Sequence, residues 1–220
     1  MEKFRHNLSY SNFTEKTGNE YLNSQRKRNL DLLGAVALSS IAVPAVSGFS
    51  ILSALDTKDN PFFKQSRVGK NGESFDVFKL RTLSRESVDF DPTRRGSKDS
   101  RASCIGKLMR KTGIDELPQL ASVISGEMSL VGPRPIIEND LNYIEEADGS
   151  LFDDWYEVYS ASRPGITGTS QIYRKNAEHN LDSWRESMKL DIQYFETASL
   201  KEDIRIIGIT PFKLLKHSSN

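Results

Sequence analysis

The chain has 220 residues, with 30 basic and 30 acidic side chains and a formal net charge of zero. That length suits one domain with an appendage, and the balanced charge gives no footprint for nucleic acid, so anion binding must come from local patches. A single cysteine, Cys104, excludes a disulfide framework, and three scattered histidines, His6, His179 and His217, form neither a zinc nor a Ser-His-Asp pattern.

Residues 1–28 are polar, mixed in charge and end in Arg26-Lys27-Arg28, which reads as a loose tail. From Leu32 to Leu55 there is no charged residue. The stretch is long enough for a span, but Ser39, Ser40, Ser47, Ser50 and Ser53 dilute it, and Pro44 at its middle predicts a kink. Three readings stay open: a buried core helix, a straight transmembrane span, and a broken helix that enters and leaves a membrane on the same side. A single span would carry all that follows it out of the cell.

Asn71-Gly72, between two alternating apolar runs, predicts a β-hairpin over Phe62 to Arg81. On its second strand Phe75, Val77, Lys79 and Arg81 share a face, so two cations continue an apolar stripe toward one end. They serve either a site or a solvated strand end. Ser84 to Ser100 is charged and without period, and reads as a mobile loop or lid.

A helix carrying Lys107, Arg110 and Lys111 is predicted to stop at Gly113, with Cys104 as a small core residue inside it. A second helix is predicted to begin at Asp115-Glu116, with Pro118 in its first turn and Leu117, Leu120, Val123 and Ile124 on one face. A cationic helix end would thus meet a helix start, a place to hold phosphate with two carboxylates beside it. The plainer alternative is that Asp115 only caps the helix.

Gly126 ends that run, and Met128–Val131 reads as a buried strand. In Gly132-Pro133-Arg134-Pro135 two prolines stiffen the backbone around Arg134, which suits bidentate phosphate contact. Ile136 to Ser162 reads as helical with a break at Asp148-Gly149, and Arg163-Pro164-Gly165 repeats the proline-braced arginine. Leu181 to Phe195 carries a stripe of Trp184, Met188, Ile192 and Phe195. Ser199 is predicted to cap a helix over Leu200–Ile209, and Thr210-Pro211 to restart another.

Five ordered stretches resemble one family. They are Asn60–Gly72 (Asn-Pro-Phe-Phe-Lys-Gln-Ser-Arg-Val-Gly-Lys-Asn-Gly), Phe78–Thr82 (Phe-Lys-Leu-Arg-Thr), Leu108–Gln119 (Leu-Met-Arg-Lys-Thr-Gly-Ile-Asp-Glu-Leu-Pro-Gln), Gly126–Pro135, and Arg163–Gly168. Together they resemble the bacterial sugar transferases, small monotopic polyprenol-phosphate phosphoglycosyl transferases.

The resemblance implies an α+β architecture: a mostly helical globular domain with a small β-hairpin or sheet, preceded by a Pro-kinked re-entrant membrane helix and ended by amphipathic interfacial helices. The matching division is a tail over 1–28, the membrane helix over 29–56 and a cytoplasmic catalytic domain over 57–220. The implied activity moves a sugar-1-phosphate from a UDP-sugar to undecaprenyl phosphate and releases UMP. It would start exopolysaccharide, O-antigen, capsule or glycoprotein glycan assembly at the cytoplasmic face of the bacterial inner membrane, within one leaflet. Asp115 matches the family's nucleophile, which forms an aspartyl phosphosugar intermediate. Glu116 matches its partner, which orients the site or handles a proton. Lys79, Arg110, Arg134 and Arg163, with Arg81 as a weaker candidate, match phosphate-holding positions. Mg²⁺ near Asp115 would neutralise the diphosphate. Asp115 near arginines should be ionised at neutral pH. A membrane-bound scaffold and a phosphohydrolase are the competing readings, and a homodimer is one candidate assembly.

Overall fold

A computed structural model of the chain describes residues 17–83, 102–174 and 180–217. The expected loose tail at 1–16 and the expected lid at Ser84 to Ser100 lie outside those residues. The remainder of the expected tail is helical. A short helix α1 (Thr17–Leu22) leads directly into α2 (Gln25–Thr57), which Ser24 caps by accepting from the Lys27 N–H. Lys27, read from the sequence as part of the basic cluster that ends a loose tail, is buried against Asp203, a partner far along the chain.

Helix α2 is 33 residues long, includes Pro44, and is apolar and long enough to cross a membrane. Leu33, Val36, Ile41, Val43, Ile51 and Leu55 stand open on it. Its two ends nevertheless rest on the globular body. Lys27, Asp31, Ala35 and Ala42 are buried toward one end, and Ser53 and Thr57 toward the other.

The hairpin β1 (Phe62–Val68) and β2 (Ser74–Leu80) is antiparallel, with Phe63 opposite Lys79 and Arg67 opposite Phe75. Its turn places Asn71 at φ 58° and Gly72 at φ 71°, the left-handed values that favour Asn and Gly. Arg81 lies just past β2. Its side chain turns to the segment before β1, where its Nε donates to the Asn60 carbonyl at 2.7 Å and its NH1 lies 3.7 Å from Asp59.

Helix α3 (Cys104–Thr112) is capped by Ser103 and stops at Gly113, whose φ of 71° closes it as expected. Cys104 is exposed rather than in the core, because it sits in the first turn of α3, away from the buried face of Gly106 and Met109. The dyad segment Ile114–Gln119 is a 3₁₀ turn, and the α-helix proper, α4 (Leu120–Ser125), begins only after it. The Glu116 N–H bonds to the Gly113 carbonyl at 3.1 Å, and Pro118 has no N–H to close an α-helical turn. Leu120 and Val123 are buried as the periodicity implies, but Ile124 is exposed.

Strand β3 (Ser129–Val131) pairs in parallel with β4 (Gly165–Thr167). A Cβ on Gly165 would lie 2.1 Å from the Gly132 nitrogen, so this crossing requires glycine and fixes the Arg134 loop beside β4. Helices α5 (Glu138–Ala147) and α6 (Gly149–Ala161) break at the expected point. Trp155, Tyr156, Tyr159 and Phe152 of α6 build one core cluster with Met188 of α8 (Leu181–Thr197), while Val77, Leu120, Val123, Leu130 and Phe195 belong to the other. Between them, α7 (Thr169–Tyr173) follows β4. Helix α9 (Leu200–His217) runs through Pro211 without restarting. Thr210 bonds both the Ile206 carbonyl and the Thr167 hydroxyl, which holds the helix to β4 across the proline. The architecture is mostly helical with small two-stranded sheets and one long apolar N-terminal helix.

Candidate active site

The site forms where β2, the 3₁₀ turn and the β3–α5 loop meet. Lys79 leaves β2 half-buried, and its Nζ lies 2.6 Å from Glu116 Oε1. Arg134 reaches the same oxygen from its proline-braced loop at 3.1 Å. One glutamate oxygen therefore receives two cations carried by different elements.

Asp115 is differently placed. Among the described residues it makes no ion pair, although Lys79 and Arg110 both act on it electrostatically. Burial and the neighbouring Glu116 charge push its carboxyl up to about 6, and Lys79 and Arg110 hold it from rising further. The sequence-based reading had the cations and a helix N-terminus. The structure adds desolvation and a like charge, and these dominate. One pH unit above such a value a carboxyl is still about nine-tenths ionised. Burial alone would also raise Glu116, but Lys79 and then Arg134 outweigh it and hold that carboxyl far below the usual range. Lys79 is pushed down, chiefly by burial, against the pull of Glu116.

Arg110 donates from Nε to the buried Thr82 hydroxyl at 2.8 Å. The cleft around Lys79, Glu116 and Arg134 is also lined by Arg67, Gln119, Pro135 and Gly165. Arg67 donates to the Pro135 carbonyl at 3.0 Å, and Arg174, just past α7, lies near enough to Arg134 to be depressed by it after burial. The sequence reading missed Arg67, Arg174 and Thr82. Arg67 was within reach of the period-two argument, because β1 residues opposite Phe75, Val77 and Lys79 share their face. Arg174 had no such signal.

Of the seven residues singled out from the sequence, the structure brings together Asp115, Glu116, Lys79, Arg110 and Arg134. Arg81 is turned to Asp59 and the Phe63 ring. Arg163 donates to the Gly126 carbonyl at 2.8 Å and lies near Lys70 at the hairpin turn.

Asp115 is the carboxylate available for a divalent cation. Among the described residues there is no cluster of three or more metal-ligating side chains. Mg²⁺ commonly takes one or two carboxylates and completes its shell with water and substrate phosphate, and Asp115 fits that role.

Two carboxylates, one clamped and one outside any ion pair among the described residues, set among cations that outnumber them and beside a helix with an open apolar face, make a site suited to group transfer on an anionic substrate. Comparison with known proteins names the family: the chain belongs to the bacterial sugar transferases, whose family model matches residues 22–217. It is 33% identical over 200 residues to a UDP-glucose:undecaprenyl-phosphate glucose-1-phosphate transferase of Caulobacter vibrioides, covering 86% of this chain and 70% of that one. It is 32% identical to the exopolysaccharide production protein ExoY of Rhizobium meliloti, covering 82% and 81%. An undecaprenyl-phosphate glucose phosphotransferase of Komagataeibacter xylinus is 37% identical, over 84% of this chain but only 35% of its own length.

Proposed function

We propose that this chain transfers a sugar-1-phosphate from a UDP-sugar to undecaprenyl phosphate through an aspartyl intermediate. The observation that carries the reading is the division of labour between adjacent carboxylates: Glu116 is held by Lys79 and Arg134, while Asp115 makes no ion pair among the described residues and lies desolvated beside Lys79 and Arg110.

An Asp115 oxygen attacks the β-phosphorus of the UDP-sugar. The bond from that phosphorus to the bridging oxygen breaks, and the oxygen leaves on UMP. The phosphate oxygen of the lipid then attacks the same phosphorus, Asp115 leaves as carboxylate, and a polyprenyl diphosphate sugar forms. Covalent catalysis divides the transfer into two displacements at one site. Lys79, Arg110 and Arg134 offset the repulsion between an anionic nucleophile and an anionic diphosphate. Asp115 is the residue that would hold Mg²⁺, and the ion would supply further charge neutralisation there. Glu116, held ionised by its two cations, orients Lys79 and Arg134 and is a poor proton carrier at neutral pH. Arg81 and Arg163, turned elsewhere in this structure, would reach phosphate only after rearrangement.

The seating of α2 supports attachment to one leaflet. Both its ends are fastened to the same body, and the stretch between the buried Ala42 and Ser53 is residues 43–52. At ~1.5 Å per residue this reaches about 15 Å, half of a ~30 Å hydrocarbon core. Pro44 lies in that stretch, and exposed Ile204 and Phe212 of α9 add apolar surface. A dipping helix keeps the site with the cytosolic nucleotide sugar, on the cytoplasmic face.

The test is UMP release by the full chain in detergent, supplied with Mg²⁺, undecaprenyl phosphate and a UDP-sugar panel. Wild type releases UMP with at least one sugar and Asp115→Asn does not. Normal turnover by that variant would remove the nucleophile assignment, and free sugar-1-phosphate without lipid product would indicate hydrolysis.

A further inference from the structure

We propose that the C-terminal end of the apolar helix is a positioning element for Arg110: Ser53 and Asp56 of α2 hold the two supports of that arginine, so the lipid-seated helix sets its geometry beside Asp115. The inference rests on the transferase reading above.

The first support is the acceptor. Arg110 Nε donates to Thr82, whose hydroxyl is buried. The carbonyl immediately before Thr82, that of Arg81, accepts from the Ser53 hydroxyl at 2.7 Å. The second support is the helix that carries Arg110. Ser103 caps α3 by accepting from the Gly106 N–H at 2.9 Å, and the same hydroxyl donates to Asp56. The two supports are packed together, because a Cβ on Gly106 would lie 2.4 Å from the Thr82 carbonyl oxygen.

Ser53 differs from its neighbours in the same helix. Ser39, Ser40, Ser47 and Ser50 each turn the hydroxyl back to a carbonyl three or four residues earlier, the usual solution for serine in an apolar helix. Ser53 has the same option, yet it is fully buried and bonds a carbonyl 28 residues away. Ile51 and Leu55 on either side are exposed. One face of this turn thus meets lipid and the opposite face holds the strand end that orients Arg110.

The test uses the full chain in vesicles of phosphatidylethanolamine and phosphatidylglycerol, with undecaprenyl phosphate and the fastest of UDP-glucose, UDP-galactose and UDP-N-acetylgalactosamine. Thr82→Val, near-isosteric but without an acceptor, is expected to lower kcat about tenfold to a hundredfold with KM changed less than threefold. Thr82→Ser should restore most of it. Ser53→Ala and Asp56→Asn should each lower kcat about threefold to tenfold. Placed on Arg110→Gln, all three should add almost nothing, since residues acting through one group are not additive. A second readout needs no turnover: the Arg110 Nε–H resonance, assigned by its loss in Arg110→Lys, should be protected in wild type and lose protection in Thr82→Val and Ser53→Ala. Wild-type kcat in these variants, full additivity with Arg110→Gln, or an unprotected Arg110 Nε–H in wild type would overturn the proposal. If no UDP-sugar yields UMP but the resonance behaves as stated, the transferase reading fails and the positioning stands.

Discussion

Two buried charge networks in this molecule use the same side-chain chemistry toward different ends. In one, Lys27 lies between Asp203 at 2.7 Å and Asp31 at 3.3 Å, all at 2% exposure or less, with the Tyr21 and Tyr194 hydroxyls closing on Asp203. In the other, Lys79 and Arg134 share Glu116, these three groups are 20–50% exposed, and Asp115, in no ion pair among the described residues, stands beside Arg110. The first is sealed and has more carboxylates than cations, so it offers an incoming anion nothing. The second is open, and its cations Lys79, Arg110 and Arg134 outnumber its two carboxylates. A lysine sealed between two buried aspartates makes a clamp between α2 and α9; partial burial with surplus positive charge makes a site.

The comparison predicts which substitutions break function and which break the fold. Asp115→Asn should cut UMP release at least about a thousandfold while leaving the thermal midpoint of the detergent-solubilised chain unchanged or raised. Lys27→Met should do the reverse. It leaves two buried carboxylates without their cation, which costs about 3–5 kcal/mol of stability, seen as early thermal unfolding and rapid proteolysis.

Asp191 sharpens the contrast, because it is a buried acid whose carboxylate accepts from Trp155 at 3.1 Å, and burial pushes it up to about 7. A raised folded-state value means that its stabilising contribution is fully present below the unfolded value near 4 and is lost as pH rises through 7. Asp191→Asn should therefore match wild type at pH 4 and exceed it at pH 8 by roughly 1–3 kcal/mol in urea unfolding. Arg134→Gln should lower turnover about tenfold, with little change in midpoint because half of its side chain is in water. Arg81→Gln, one residue from the site in sequence but turned to Asp59 and Asn60, should change turnover less than about threefold.

The contrast also marks what the sequence could reveal. Local chemistry was legible: Asn71-Gly72 required a left-handed turn, Gly113 and Gly126 ended helices, and the prolines around Arg134 stiffened its loop. Features that depend on distant partners were not. Lys27 reads as the end of a loose tail because Asp203 is 176 positions away. Arg163 shared the proline-braced pattern of Arg134, yet the Gly126 carbonyl captures it. Asp115-Glu116 was legible as a pair beside a helix stop, but the 3₁₀ turn depends on Gly113 and Pro118 acting together. Desolvation of Asp115, which reverses its shift, appears only once the turn is packed against β2 and α3.

The most direct measurement of the central claim is the intact mass of the protein after mixing with Mg²⁺ and a productive UDP-sugar in the absence of polyprenyl phosphate. Wild type should gain the mass of one sugar phosphate at Asp115 as one UMP is released per chain, and should lose it when undecaprenyl phosphate is added. Asp115→Asn should gain nothing. Continued UMP release by wild type without any adduct, or an adduct of the same mass on Asp115→Asn, would contradict the assignment of Asp115 as the residue that carries the phosphosugar.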